Sequence, residues 1–120
     1  PVILIAEDND VNLKVLEHYL ANFDCKAIVA KNGKDAVTLF NRNDVDLVLM
    51  DIMMPEMDGY EAMAHIRSQP RFAALPVLAL TAKAMKDDRA KCLDAGANDY
   101  CSKPIDMSKL TSLMRVWLHK

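Results

Sequence analysis

The chain has 120 residues, with Lys+Arg 15 against Asp+Glu 17 and a formal net charge of −2. That length suits one domain with a single core, and 52% hydrophobic residues exclude a disordered chain. The near-neutral balance argues against a surface for nucleic acid, which needs a basic stripe, and no apolar run approaches the ~20 residues of a membrane span. No signal peptide is recognisable. Cys25, Cys92 and Cys101 are an odd set without metal-ligand spacing, which reads as reduced thiols of a cytoplasmic protein. A first residue of Pro1 rather than Met suggests an excised or processed fragment.

In chain order, the apolar run Val2-Ile-Leu-Ile-Ala6 predicts a buried strand. Val11, Val15, Leu16, Tyr19, Leu20 and Phe23 then recur as the stripe of an amphipathic helix. A second strand over 26–30 precedes a shorter helical pattern of Ala36, Val37 and Phe40. The run 45–50 predicts a third strand. Asp58-Gly-Tyr-Glu61 resembles a capping box, with Asp58 as N-cap of a helix running towards Arg67. A fourth strand falls at 77–80. The stretch 84–95 is helical by propensity, but its apolar face is thin, mostly Ala with Met85 and Leu93, and Gly96 suits its C-cap. A weaker fifth strand at 98–101 leads to a last helix, whose face is Leu110, Leu113, Met114 and Trp117.

Strand and helix alternate five times, which predicts an α/β fold: a doubly wound, five-stranded parallel sheet with five helices. The first, third and fourth runs are the most apolar and suit the centre. The second and fifth carry Lys26, Asn98 and Asp99 and suit the edges, giving the order 2-1-3-4-5. Connections are short and nothing repeats, so residues 1–120 read as one domain without a visible output module.

In open α/β sheets ligands bind beyond the carboxyl ends of the strands, where the strand order reverses. Past the first run come Glu7 and Asp8, past the third Asp51, past the fourth Thr81 and Ala82, and past the fifth Ser102, Lys103 and Pro104. Taken singly, these residues also suit solvated loops, helix caps and turns. Their joint placement at four strand ends brings three carboxylates, a hydroxyl and an ammonium to one shallow pocket. Clustered carboxylates need a cation. All-oxygen ligands select a hard one, best Mg²⁺, which keeps waters and recruits a phosphate oxygen. Lys103 and Thr81 suit phosphoryl oxygens, and Asp51 suits a nucleophile that forms an aspartyl phosphate. Met50, Met53, Met54 and Met57 around Asp51 read as adaptable apolar packing. His18, His65 and His119 fall on separate helices and read as surface or half-buried side chains.

Glu7-Asp8-Asn9, the run Asp51-Ile-Met-Met-Pro55-Glu-Met-Asp58-Gly59, Leu80-Thr81-Ala82 and Lys103-Pro104 together resemble the receiver domain of two-component response regulators. The likeness spans essentially the whole chain, with every motif in order. Glu7-Asp8-Asn9-Asp10-Val11-Asn12, the stretch Thr81-Ala82-Lys83-Ala84-Met85 and Ala95-Gly96-Ala97-Asn98-Asp99-Tyr100 are most similar to receiver modules of hybrid sensor histidine kinases. The resemblance implies a flavodoxin-like fold and a phosphoacceptor that catalyses its own phosphorylation and dephosphorylation. Asp51 would take a phosphoryl group from a phosphohistidine on a histidine kinase or histidine phosphotransfer domain, and the signal would pass on by a conformational change or by onward phosphotransfer.

In that family pattern Asp8, Asp51 and the backbone carbonyl of Met53 hold Mg²⁺, with Mn²⁺ as a substitute, and Glu7 binds directly or through water. Lys103 pairs with Asp51 and then with the phosphoryl group. Thr81 turns inwards, Ala82 leaves room beside it, Met53 flanks the phosphoryl site, and Tyr100 is the switch aromatic. The bond before Pro104 is a cis-peptide candidate. A homodimer through the fourth helix, fifth strand and fifth helix, and a place in the cytosolic part of a membrane-anchored hybrid kinase, are further implications. Glu7 departs mildly from the pattern, being the longer acid at a position that is often Asp, while Met53 and Lys83 occupy variable positions and leave the phosphoryl lifetime open. A mononucleotide binder would find Glu7 and Asp8 repelling its phosphate, and an aspartyl-phosphate phosphatase would want an acid where Met53 stands. A degenerate receiver that signals by interaction alone would lack site residues that are present here.

Overall fold

The computed structural model describes residues 2–21, 25–42, 45–52, 59–69, 75–81, 86–102 and 106–118. Its strands are β1 (Val2–Ala6), β2 (Lys26–Ala30), β3 (Leu47–Asp51), β4 (Val77–Thr81) and β5 (Asp99–Ser102). Between and after them run α1 (Asp10–Leu20), α2 (Gly33–Arg42), α3 (Gly59–Arg67), α4 (Lys86–Asp94) and α5 (Met107–Leu118). The strands form one parallel sheet in the order β2-β1-β3-β4-β5, as the distribution of apolar and polar runs predicts. β3 starts two positions later than expected, since Asp46 turns aside and its carboxylate accepts the Val2 N–H at 2.7 Å.

Side chains of a strand alternate between the two faces of the sheet, and here both faces are covered. Leu4, Val48, Met50, Val77 and Ala79 pack with Phe40 of α2, Met63 and Ile66 of α3, and Cys92 of α4. Ile3, Ile5, Leu47, Leu49, Leu78 and Leu80 pack on the opposite side with Leu13, Leu16 and Leu20 of α1 and Leu110 and Met114 of α5. This double burial is why the central runs are continuously apolar and why β2, with Lys26 and Ala27 exposed, sits at an edge.

Two helical faces depart from the sequence expectation. In α1 the buried residues are Leu13, Leu16 and Leu20, while Val11 is 72% exposed and Val15 and Tyr19 are also exposed. Val11 and Leu16 lie about 140° apart at 100° per residue, so one stripe cannot bury both, and the leucine spacing wins the sheet. Phe23 lies outside the described residues. In α4, Leu93 is exposed and Cys92 is buried. The helix is described from Lys86, and residues 84 and 85, with Met85, lie outside the described residues, as does Asp58, the expected N-cap of α3. The face expected of α5 is buried or half-buried as read.

Caps account for several helix boundaries. Asn9 is the N-cap of α1, its Oδ1 accepting the Val11 N–H at 2.9 Å and the Asn12 N–H at 3.1 Å. Asp106 does the same ahead of α5 for Ser108 and Lys109. At the end of α4, Ala97 N–H bonds the Cys92 carbonyl and Gly96 N–H bonds that of Leu93. This is a Schellman closure, and Gly96 supplies the positive φ of 118° that it needs. Cys25, Cys92 and Cys101 form no disulfide. No helix among the described residues is long and apolar enough to cross a membrane.

Candidate functional site

The strand register decides which polar residues meet. Ala6 pairs with Met50, Asp51 with Leu80, and Thr81 with Ser102, so β1, β3, β4 and β5 end at one rim of the sheet. Whatever follows those pairs in sequence is delivered there. Glu7, Asp8 and Asp51 each bring a carboxylate oxygen to within 4.8 Å of the others. Glu7 is fully buried, Asp51 is 3% exposed and Thr81 is 6% exposed, whereas Asp8 opens to solvent. These are the buried polar residues among those described, and all lie at this rim.

The turn that carries the first two acids is held on every side. Glu7 N–H bonds the Ala30 carbonyl of β2 at 3.0 Å. Its Oε1 accepts the Asn9 N–H at 3.1 Å. Asn9 then caps α1, and Asp10 in the next position pairs with Lys31 at 2.7 Å. The Lys31 ammonium holds the Asp10 carboxyl below its ordinary range by hydrogen bond and charge. Asp51 is positioned differently, as the last residue of a fully buried strand, and the Ile52 N–H continues the ladder to the Leu80 carbonyl at 3.1 Å.

Three carboxylates within bonding reach of one ion, two of them buried, form a donor set of hard oxygens without His or Cys. That set fits a hard divalent cation that retains waters. Buried acids otherwise resist ionisation and repel one another. The site therefore groups Asp51 with Glu7 and Asp8 around a place suited to a neutralising divalent charge.

Of the other residues that the sequence singles out, Tyr100 is half-buried on β5, opposite Ala79 and packed with the α2–α4 side of the core. Thr81 lies two residues after Ala79, so the strand pleat turns Thr81 and Tyr100 to the same face of the sheet. Lys103, Met53, Ala82 and Pro104 lie outside the described residues. His18 and His65 are exposed.

Two features escape a sequence reading. The Lys109 ammonium of α5 stands 5.1 Å from the centre of the Tyr100 ring, a cation–π contact that no local spacing announces. Arg67, at the end of α3, donates to the Gly96 carbonyl and to Asn98 across 29 and 31 residues of sequence. Its guanidinium is lowered from its ordinary pKa by burial. The signal available in the sequence is only the pairing of a helix-terminal Arg with a Gly-containing turn.

The family model of the response regulator receiver domain matches residues 3–115. The hybrid signal transduction protein dokA of Dictyostelium discoideum is 36% identical over 97% of this chain, which spans 7% of that protein. A probable transcriptional regulator of Porphyra purpurea, ycf29, is 36% identical over 98% of the chain, here 56% of the relative. The chain thus spans only part of these curated relatives. Among solved structures, the receiver domain of a Pseudomonas aeruginosa sensor histidine kinase has a TM-score of 0.91 at 38% identity. It covers 99% of this chain and 98% of that one, and holds a magnesium ion coordinated in its active-site cleft. A Saccharomyces cerevisiae co-crystal of the histidine phosphotransfer protein Ypd1 with the receiver domain of Ssk1 matches with a TM-score of 0.90 and 30% identity, over 97% of this chain and 87% of that one. With its strand order, acidic rim and nearly full-length family match, the chain belongs to the response regulator receiver domain family.

Proposed function

We propose that this chain is a Mg²⁺-dependent phosphoacceptor switch in which Asp51 takes the phosphoryl group from a phosphohistidine partner. The observation that carries the reading is the convergence of Glu7, Asp8 and Asp51 at the rim where Thr81 also ends its strand. Glu7, Asp8 and Asp51 would hold the cation, together with the Met53 carbonyl that the family pattern adds. Bound there, Mg²⁺ supplies the positive charge that screens the carboxylates from an incoming phosphoryl oxygen.

An Asp51 carboxylate oxygen attacks phosphorus, the N–P bond to the donor imidazole breaks, and the imidazole keeps the bonding electron pair and takes up a proton. The product is an aspartyl acyl phosphate. Transfer of this kind rests on positioning and charge neutralisation, since the phosphoryl group is largely dissociated at the transition state. Lys103 supplies a second positive charge, first to Asp51 and then to the phosphoryl oxygens. Thr81 moves its hydroxyl to donate to a phosphoryl oxygen, Ala82 leaves that space open, and Tyr100 follows on the same face of the sheet. Attack of water on phosphorus later releases inorganic phosphate and restores Asp51.

Val11 and Val15 stand exposed on α1 immediately after the acid-bearing turn. An apolar patch beside a reactive carboxylate suits a partner that must bring its own reactive side chain to that spot, and the histidine phosphotransfer protein in the yeast complex is a partner of that class. On the other side, Leu93 of α4 and Val116 of α5 are exposed around β5, a surface for output or for a homodimer. Free thiols and a phosphohistidine donor both fit a cytoplasmic location.

The test is incubation with Mg²⁺ and acetyl phosphate, read by intact mass. The expected result is a gain of one phosphoryl group that disappears in Asp51→Asn and after chelation. No gain in the wild-type chain overturns the reading.

A further inference from the structure

The C-terminal end of α4 is held by a network that reaches α3 and β4. Its N-terminal end follows the Thr81 end of β4, where the site lies. Among its described side chains, Cys92 alone is buried, and Ala90, Lys91, Leu93 and Asp94 face solvent. Its C-terminal end is instead closed by the Schellman bonds from Ala97 to Cys92 and from Gly96 to Leu93. Beyond them, the Gly96 carbonyl accepts two donors of one guanidinium, Arg67 Nε at 2.9 Å and Nη2 at 2.8 Å.

The same Nη2 donates to Asn98 Oδ1 at 2.7 Å, and that oxygen also accepts the Val77 N–H at 2.8 Å. The Asn98 N–H closes the ring by donating to the Val77 carbonyl at 2.8 Å. One side chain thus ties the last turn of α3, the turn after α4 and the first residue of β4 together. Charged donors on carbonyl and amide acceptors make stronger hydrogen bonds than neutral ones, and partial burial spares them competition from water. The turn is also shaped to the clamp. A Cβ on Gly96 would come within 2.8 Å of Arg67 Cγ, and its φ of +118° strains any other residue.

We propose that Arg67, through Gly96 and Asn98, makes the C-terminal end of α4 a fixed pivot, so that the response of α4 to phosphorylation is confined to the end nearer Thr81. The physical ground is the clamp at the C-terminal end, since a helix anchored at one end swings rather than slides. The pivot also keeps the start of β5, and hence Tyr100, in register while Thr81 and the adjoining end of α4 shift. The inference rests on the phosphoacceptor reading for the nature of the stimulus, but the clamp itself is testable in the unstimulated protein.

The experiment uses amide NMR and hydrogen exchange on the wild-type chain and on Arg67→Gln, with and without Mg²⁺ and beryllofluoride as the phosphoryl mimic. In the wild type, beryllofluoride should shift amides between Lys86 and Lys91 while Val77, Gly96, Ala97 and Asn98 stay in place. In Arg67→Gln, even without the mimic, Gly96 and Ala97 should exchange at least tenfold faster, and with it they should shift along with the rest of α4. Asn98→Asp, which keeps both acceptor roles and adds a charge facing Arg67, should leave their exchange unchanged or slower. The pivot is overturned if wild-type Gly96 and Asn98 shift as much as the N-terminal half, or if Arg67→Gln leaves exchange at Gly96 and Ala97 unchanged. Should beryllofluoride bring no change anywhere, the phosphoacceptor reading fails, while the exchange comparison still decides the clamp. Should Arg67→Gln not fold, the wild-type shift pattern and Asn98→Asp decide it.

Discussion

α1 and α4 border the same rim of the sheet from opposite sides and are built on opposite principles. α1 begins with a capped turn that also fixes Glu7, buries Leu13, Leu16 and Leu20 along its length, and keeps its exposed Val11 and Val15 for whatever approaches from outside. α4 buries Cys92 and is secured by the turn that follows it. A phosphoacceptor needs both. The acids must be preorganised because electrostatic stabilisation works only when the charges are already in place. The element that reports the event must cost little to move, because a ligand shifts an equilibrium only by its differential affinity for the two states.

The largest test of this contrast lies in α1. Leu16→Ala should destabilise the domain by about 3 kcal/mol, as expected for a fully buried leucine in a packed core. Urea unfolding would show it as a lowered midpoint with the slope retained. A loss under 1 kcal/mol would mean that α1 is not the firmly packed element that its buried leucines imply. Next comes thiol labelling with iodoacetamide under native conditions, read by mass. Half-buried Cys25 should react first. Cys92 and Cys101 should both follow at least tenfold more slowly, a difference of about 1.4 kcal/mol. The clamped Gly96 turn holds the helix end that carries Cys92, and Cys101 lies within β5. Burial also raises the Cys101 thiol above its ordinary pKa, which lowers its share of reactive thiolate. Labelling of Cys92 as fast as that of Cys25 would mean that the turn after α4 does not hold that end of the helix.

Asn9→Ala should cost about 1 kcal/mol through loss of the α1 cap. It should also weaken Mg²⁺ binding, measured by Trp117 fluorescence, because the capped turn aims the Asn9 N–H at Glu7. Asn9→Ser should restore both, and a stability loss with unchanged Mg²⁺ affinity would separate the cap from the acid. The smallest effect on stability belongs to Val11→Asp, within about 0.5 kcal/mol for so exposed a position. That substitution should nevertheless slow phosphoryl transfer from a histidine phosphotransfer protein and leave transfer from acetyl phosphate unchanged. Slowing of both would place Val11 in the chemistry rather than in docking.

Much of this molecule is legible in its sequence, for identifiable reasons. Buried parallel strands must be continuously apolar, so β1, β3 and β4 announce themselves, and polar residues at their ends follow from the rule that such sheets bind ligands there. The face of α1 was misread because Val11, Val15 and Tyr19 form as regular a stripe as the leucines do. Periodicity shows that a helix has an apolar face, but not which of two faces meets the sheet when both carry apolar residues. α4 offered little pattern at all, since Cys92, the residue it buries among those whose side chains are described, stands between Lys91 and Leu93 at the end of a largely charged run.

The sequence by itself determined the alternation of strand and helix, the sheet order, and the identity of Glu7, Asp8, Asp51 and Thr81 as the polar residues at the strand ends, because these rest on local composition and period. Only the tertiary structure decided that the three carboxylates come within 4.8 Å of one another, that Asn9 braces Glu7, and that Arg67 grips Gly96 and Asn98. Those are contacts between segments far apart in the chain or set by a turn's exact path. Hydrogen bonds and metal-ligand contacts need their partners within about 3 Å, so they are fixed by register and packing and leave no period in the sequence to read.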